Sequence, residues 1–287
     1  MSVIELTVGW YGEHRRDLPW RRPEAGPWGV LVSEFMLQQT PVNRVLPMYQ
    51  AWMERWPKPG DLAAEPSGEA VRAWGRLGYP RRALRLHAAA VAITERHGGV
   101  VPAAYEELRA LPGVGDYTAA AVASFAYGRR HAVLDTNVRR VLARAYTGEQ
   151  YPATSVSAAE RSLAESLLPE RPADAAAWAA ASMELGALIC TAKSPRCEVC
   201  PVAELCAWRK AGSPEHTGPA RKGQSYAGTD RQCRGALLAV LRAAHSPVEA
   251  DDLFTAWADE EQRGRALRSL LEDGLAVRTA GSQYRLP

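Results

Sequence analysis

Two carboxylates and four cysteines stand out as groups able to do chemistry. Glu34 sits in VLVSEFMLQQTPVNRV, residues 30–45, which reads as a helix with an apolar face. At 100° per residue, Val30, Leu31 and Leu37 share its side of the helix. A carboxylate is costly to bury unless it is paired or changes its proton affinity. Apolar surroundings are therefore expected to raise the pKa of Glu34 and let it carry a proton near neutrality. Asp135 ends the apolar run of HAVLDTNVRRVLARAY and opens a helix. DTNV fits a helix N-cap, and it also fits an ionised carboxylate facing a developing cation. Glycosyl transfer uses such a pair: an acid for the leaving group and a carboxylate near an oxocarbenium-like centre. Each acid taken alone has a structural reading as well.

Cys190, Cys197, Cys200 and Cys206 are spaced C-x6-C-x2-C-x5-C. Four thiolates can ligate a zinc ion or an iron–sulfur cluster. Structural zinc usually uses two short knuckles separated by a longer loop. One knuckle flanked by single cysteines suits one compact cluster better. Cys233 is expected to pack inside a helix. LPGVG, residues 111–115, suggests a helix-hairpin-helix. Its glycines allow positive φ and close approach of another backbone, and N–H groups at the next helix start can bind phosphate. An ordinary helix connection is the plain alternative.

Helices must position these groups. They are expected at 1–13, 30–40, 43–56, 68–76, 80–97, 104–110, after the glycine turn, after Asp135, and at 155–168 and 173–188. Residues 211–229, rich in Gly, Pro and Ser, read as a linker. Beyond it, residues 230–273 suggest three helices and LAVRTAGSQYRLP a β-hairpin. Together they suggest a winged helix, equally a packing module or a DNA-contacting one. The chain has 287 residues, 47% of them hydrophobic, a formal charge of +3 and a pI near 8.6. Any nucleic-acid surface must then be a local patch. Arginine far outnumbers lysine, which suits bidentate contacts to phosphate or carboxylate. No apolar run approaches the ~20 residues of a membrane helix, and the N-terminus shows no secretion signal. A cytoplasmic protein is expected, and there crowded cysteines favour metal over disulfides.

SEFMLQQT, GRLGYPRRALRLH, LPGVGDYTAAAVASFAYG, VLDTNVRRVLAR, and MELGALIC with the four cysteines together resemble the MutY family. These are the adenine-specific A/G-mismatch glycosylases of the helix-hairpin-helix base-excision superfamily. The resemblance covers about residues 8–208. It implies a mainly α, two-domain fold. Residues 30–134 would form a six-helix domain with the hairpin. Residues 1–29 and 135–210 would form a [4Fe–4S] cluster domain, followed by the linker and the 230–287 module. Double-stranded DNA with a mismatched adenine would bind a monomer across the interdomain cleft, with the adenine flipped out of the stack.

Carried over by motif, Glu34 would protonate adenine N7 and later help position water. Asp135 would stabilise the oxocarbenium ion, with Tyr117 and Asn137 in support. Trp20, Arg21 and Glu184 match positions lining the adenine pocket. Gln39 and Tyr79 match residues that wedge into the duplex near the opposing base, and Gln38 could face the same cleft. Gly113, Val114 and Gly115 would meet phosphate through backbone, and Arg196 through its side chain. Endonuclease III relatives carry a lysine where Tyr117 stands. This chain has no lysine between Lys58 and Lys193, so a monofunctional glycosylase with little or no lyase activity is implied. Thymine/guanine glycosylases share the tyrosine and aspartate but typically lack the glutamate, so Glu34 favours adenine. Three departures stand out: no large C-terminal 8-oxoguanine reader, Pro80 after Tyr79, and Thr136 where glycine is common. A glycosylase for T or U opposite G and a non-catalytic iron–sulfur damage-binding protein remain the competing readings.

Overall fold

The computed structural model describes residues 1–218, 226–279 and 281–287. Residues 219–225 of the expected linker and Ala280 of the expected hairpin turn lie outside the described residues. The chain runs through α1 (Val3–His14), α2 (Gly26–Leu37), α3 (Val42–Arg55), α4 (Pro59–Ala63) and α5 (Ser67–Trp74). It continues through α6 (Arg81–Arg96), α7 (Tyr105–Arg109), α8 (Asp116–Tyr127), α9 (Thr136–Leu142), α10 (Ala158–Ser166), α11 (Pro172–Leu188) and α12 (Ala207–Lys210). The C-terminal module holds α13 (Asp230–Ala243), β1 (Val248–Glu249), α14 (Ala250–Phe254), α15 (Glu260–Glu272), β2 (Val277–Arg278) and β3 (Gln283–Arg285). The fold is mainly α, as expected. The short α4 has no counterpart in the sequence reading.

The residues group into two compact units. One holds Met1–Val30, Ala103–Arg109 and the described part of Val114–Ala220. The other holds Leu31–Pro102, Ala110–Gly113 and the described part of Arg221–Pro287. The grouping places α8 with the cysteine-bearing segment and the C-terminal module with α3–α6, whereas the expected division put residues 30–134 together.

In the first unit, α1 and α9 pack on the alanine-rich α11. Val138, Val141, Leu142, Trp178, Leu185 and Ile189 form its main core. Gly186 permits that packing, because a Cβ there would lie 2.8 Å from the Asn137 carbonyl oxygen. In the second unit, α5 and α4 pack on α6, around Trp52, Trp56 and Trp74. The indole of Trp52 meets those of Trp56 and Trp74 edge-on, at centroid distances of 4.6 and 5.7 Å, geometry that aromatic quadrupoles favour.

The C-terminal module has the expected three helices. Its hairpin gains a third strand, giving the antiparallel order β1-β3-β2 of a winged helix. The module packs on α5. The Arg242 guanidinium donates to the Val71 carbonyl at 2.9 Å, and the Gly68 amide to that of Pro287 at 2.9 Å. Arg81 on α6 pairs with Asp273 at 3.0 Å.

Helix α2 departs from expectation in a way that matters for Glu34. It starts four residues earlier and stops at Leu37 rather than Thr40. Every residue from Leu31 to Met36 is buried, Ser33 and Glu34 included. Glu34 therefore lies in a helix buried all round, not on one apolar face of an amphipathic one.

Candidate active site and metal centre

Asp135 is the N-cap of α9. One carboxylate oxygen accepts from the amides of Asn137 (2.9 Å) and Val138 (2.6 Å), which satisfies two donors that a helix start leaves unpaired. Its other oxygen accepts from Asn137 Nδ2 at 2.7 Å. Burial pushes the Asp135 pKa up; the hydrogen bonds from Val138 and Asn137 and the charge of Arg140 oppose that without cancelling it. Asn137 Oδ1 in turn accepts from Arg140 Nη2 at 2.8 Å. Arg140 also donates to the carbonyls of Cys190 (2.7 Å) and Gly186 (2.6 Å). One guanidinium thus ties a cysteine backbone to the amide that orients Asp135.

The four cysteines line one cavity, walled by Val141, Ala145, Leu185, Ile189 and Val202. Buried Arg144 donates to Cys190 Sγ at 3.3 Å, and Cys206 Sγ donates to the Arg144 carbonyl at 3.3 Å. The remaining Arg144 donors meet the carbonyls of Gln150, Thr191 and Ala192. Among the described residues, no three Cys, His, Asp or Glu converge on the position of a single ion. Four sulfurs around one apolar cavity, with a fixed cation beside them, fit a polynuclear cluster with anionic thiolate ligands. Arg196 lies exposed on the loop between the first two cysteines and donates to the Leu188 carbonyl at 2.8 Å.

Glu184 has a side chain with no solvent exposure. Arg16 and Arg21 each grip it with two guanidinium nitrogens, at 2.7 and 2.9 Å, and the Arg16 amide adds a third donor set at 2.9 Å. Burial alone would raise its pKa; the hydrogen bonds from Arg16 and Arg21 outweigh that and hold it down to about 2. The clamp fastens the buried Trp20 loop to α11. Tyr117, half-buried on α8, packs beside Ala120, Ala121, Val133 and Ala179.

In the second unit, α2 leads directly into Gln38 and the exposed Gln39, whose φ is +55°. Tyr79 is also exposed, with φ of +47°. Buried Arg82 lies beneath both loops. The glycine turn is less uniform than its sequence suggested. Gly113 has φ of +77°, and a Cβ there would sit 2.6 Å from the Arg85 Cβ. Gly115 is extended, at φ −98°, caps α8 and has open space around it. Only the first glycine requires the left-handed region. Val114, between them, is buried.

Sequence reading missed Arg16, Arg82, Arg140, Arg144 and Gly186. Only their place inside otherwise informative motifs marked the last four.

These features define a helix-hairpin-helix protein with an iron–sulfur centre. Residues 32–167 match the family described as HhH-GPD superfamily base excision DNA repair protein. Residues 190–206 match the iron-sulfur binding domain of endonuclease III. The chain is 52% identical over 281 residues to the adenine DNA glycosylase of Mycobacterium tuberculosis, covering 98% of this chain and 92% of that one. It is 52% identical over 289 residues to that of Mycolicibacterium smegmatis, covering 100% and 96%. A solved thermostable thymine-DNA glycosylase aligns with a TM-score of 0.65 and 30% identity, over 72% of this chain and 95% of its own. The chain belongs to the adenine DNA glycosylase family. The cysteines Cys190, Cys197, Cys200 and Cys206 are its [4Fe–4S] motif.

Proposed function

We propose that this protein is a monofunctional glycosylase that removes adenine paired with 8-oxoguanine or guanine in double-stranded DNA. Glu34 carries the reading: a carboxylic acid 5% exposed within a fully buried helix segment suits a group that holds a proton for a base. Glu34 gives its proton to adenine N7. The C1′–N9 bond then breaks, its electron pair leaves with adenine, and the sugar becomes an oxocarbenium ion. Asp135, held by Asn137, faces that cation as a carboxylate. Water adds to C1′ and its proton passes to the Glu34 carboxylate, leaving an abasic site.

Trp20, Arg21 and Glu184 shape the adenine pocket, and Tyr117 and Asn137 support the reacting sugar. Gln38, Gln39 and Tyr79 serve the disturbed duplex. The backbone of Gly113, Val114 and Gly115, with the Arg196 side chain, meets phosphate. The cluster, when bound, supplies a rigid anchor for the Cys190–Cys206 loop. The lysine-free stretch from 59 to 192 supports base removal without strand cleavage. No helix among the described residues is long and apolar enough to cross a membrane. The proposed enzyme is a cytoplasmic monomer that engages DNA at the nucleoid.

A panel of duplexes with defined mismatches tests the proposal. Adenine release opposite 8-oxoguanine or guanine, lost in Glu34→Gln with DNA binding kept, is expected. Release of thymine or uracil opposite guanine instead would assign the other reaction. Binding without any base release would leave only damage recognition.

A further inference from the structure

Among the described residues, three non-glycine residues have positive φ, and two of them are Gln39 and Tyr79. Both are exposed, and both occupy the left-handed region that L side chains rarely adopt. A strained residue persists only where its surroundings over-determine it. For these two the surroundings converge on one side chain. Arg82 Nη1 donates to the carbonyl of Gln38 at 2.5 Å, the peptide group that leads into Gln39. Arg82 Nη2 donates to the carbonyl of Gly78 at 3.1 Å, the peptide group that leads into Tyr79.

The same fork is anchored on its inner side. Nη1 also meets the carbonyls of Phe35 (2.8 Å) and Met36 (3.1 Å) at the end of α2, and Nη2 meets Thr40 Oγ1 at 3.0 Å. The guanidinium carbon lies 5.3 Å from the Trp74 ring and 5.3 Å from the Tyr79 ring. Its positive charge sits at the negative end of the α2 dipole. Only a planar fork can reach carbonyls on two loops and a helix end at once; an ammonium is a point donor.

We infer that Arg82 is the positioning residue that pre-sets Gln39 and Tyr79 as a pair of projections for entry into the duplex. It rests on the proposed duplex-facing role of those two side chains. Arg82 itself touches no DNA. It fixes the peptide planes before DNA arrives, so the complex need not order two loops on binding.

The test uses the full chain and a duplex with 2-aminopurine beside the base opposite the target adenine, whose fluorescence rises when the helix is unstacked. Arg82→Lys is expected to lose at least fivefold of that rise and about tenfold in mismatch affinity, with the iron–sulfur absorbance unchanged. Adding Gln39→Asn, which tolerates the left-handed region, should restore part of the signal; a role in packing alone would not respond to it. A wild-type fluorescence rise in Arg82→Lys overturns the inference. If that variant does not fold, Arg82→Gln carries the test, because the shorter amide cannot reach the Gln38 and Gly78 carbonyls together, and a wild-type rise there overturns it equally. Gln39→Ala and Tyr79→Ala with Arg82 intact separate the two ideas. Unchanged fluorescence in both removes the duplex-facing role itself, whatever Arg82 does.

Discussion

Asn137 Nδ2 donates to Asp135 Oδ2 across 2.7 Å, so the amide two residues into α9 fixes the plane of the carboxylate that caps the helix. Because Asn137 Oδ1 is taken by Arg140 at 2.8 Å, the amide cannot flip without losing both bonds. Arg140→Lys removes the fork that holds Asn137, Gly186 and the Cys190 carbonyl together. Single-turnover excision should fall on the order of 10–100-fold, with iron content per chain measured alongside. Wild-type excision in that variant would remove Arg140 from the site.

Asp135→Asn separates capping from chemistry, since asparagine caps as well as aspartate. Excision should fall by roughly three orders of magnitude or more while the fold persists. Burial raises the Asp135 pKa above its ordinary value. A group raised in the folded state contributes stability below its unfolded pKa and loses that contribution as pH rises through the folded value. The stability of Asp135→Asn relative to wild type should therefore increase with pH. Thermal melts from acid to neutral pH read this, and a flat difference would contradict it.

Glu184 behaves with the opposite sign. Its folded pKa is held down to about 2, so the Arg16 and Arg21 clamp stabilises the fold above the ordinary carboxylate range and is lost as pH falls toward 2. The contribution is at most about 3 kcal/mol. Glu184→Gln should destabilise at pH 7, and the difference from wild type should shrink on acidification. Urea unfolding at several pH values checks it.

The two glycines of the hairpin should part company. Gly113→Ala combines a left-handed φ with a 2.6 Å approach to the Arg85 Cβ, and should cost at least about 1–3 kcal/mol of stability. Gly115→Ala meets nothing within 4 Å; it should fold normally and weaken DNA binding, because the added methyl occupies space proposed for phosphate. Melting temperature and duplex affinity, measured on both, decide.

Removing a cluster ligand gives the fifth comparison. Cys200→Ser should lower bound iron and visible absorbance. Stoichiometric zinc with no iron in the wild-type protein would contradict the assignment.

Local signals were legible without a structure. The cysteine spacing favoured one compact cluster over separate zinc knuckles, because ligands within one loop must lie close together, and the family resemblance supplied the cluster type. DTNV announced a capped helix, because N-cap chemistry is settled within three residues, and Asp135 indeed accepts from Asn137 and Val138. The extent of burial around Glu34 was not legible. Its helix reads as amphipathic until α2 is seen enclosed on every side.

The sequence by itself determined which chemical groups exist and which short elements carry them. What only the tertiary structure decided was the partner of each arginine. Arg16 finds Glu184 across 168 positions, Arg140 finds Cys190 across 50, and Arg82 finds Phe35 across 47. In sequence these arginines look like the many that stay in solvent. A guanidinium is buried only where enough carbonyls and carboxylates converge to replace water, and that convergence is a property of the packed helices.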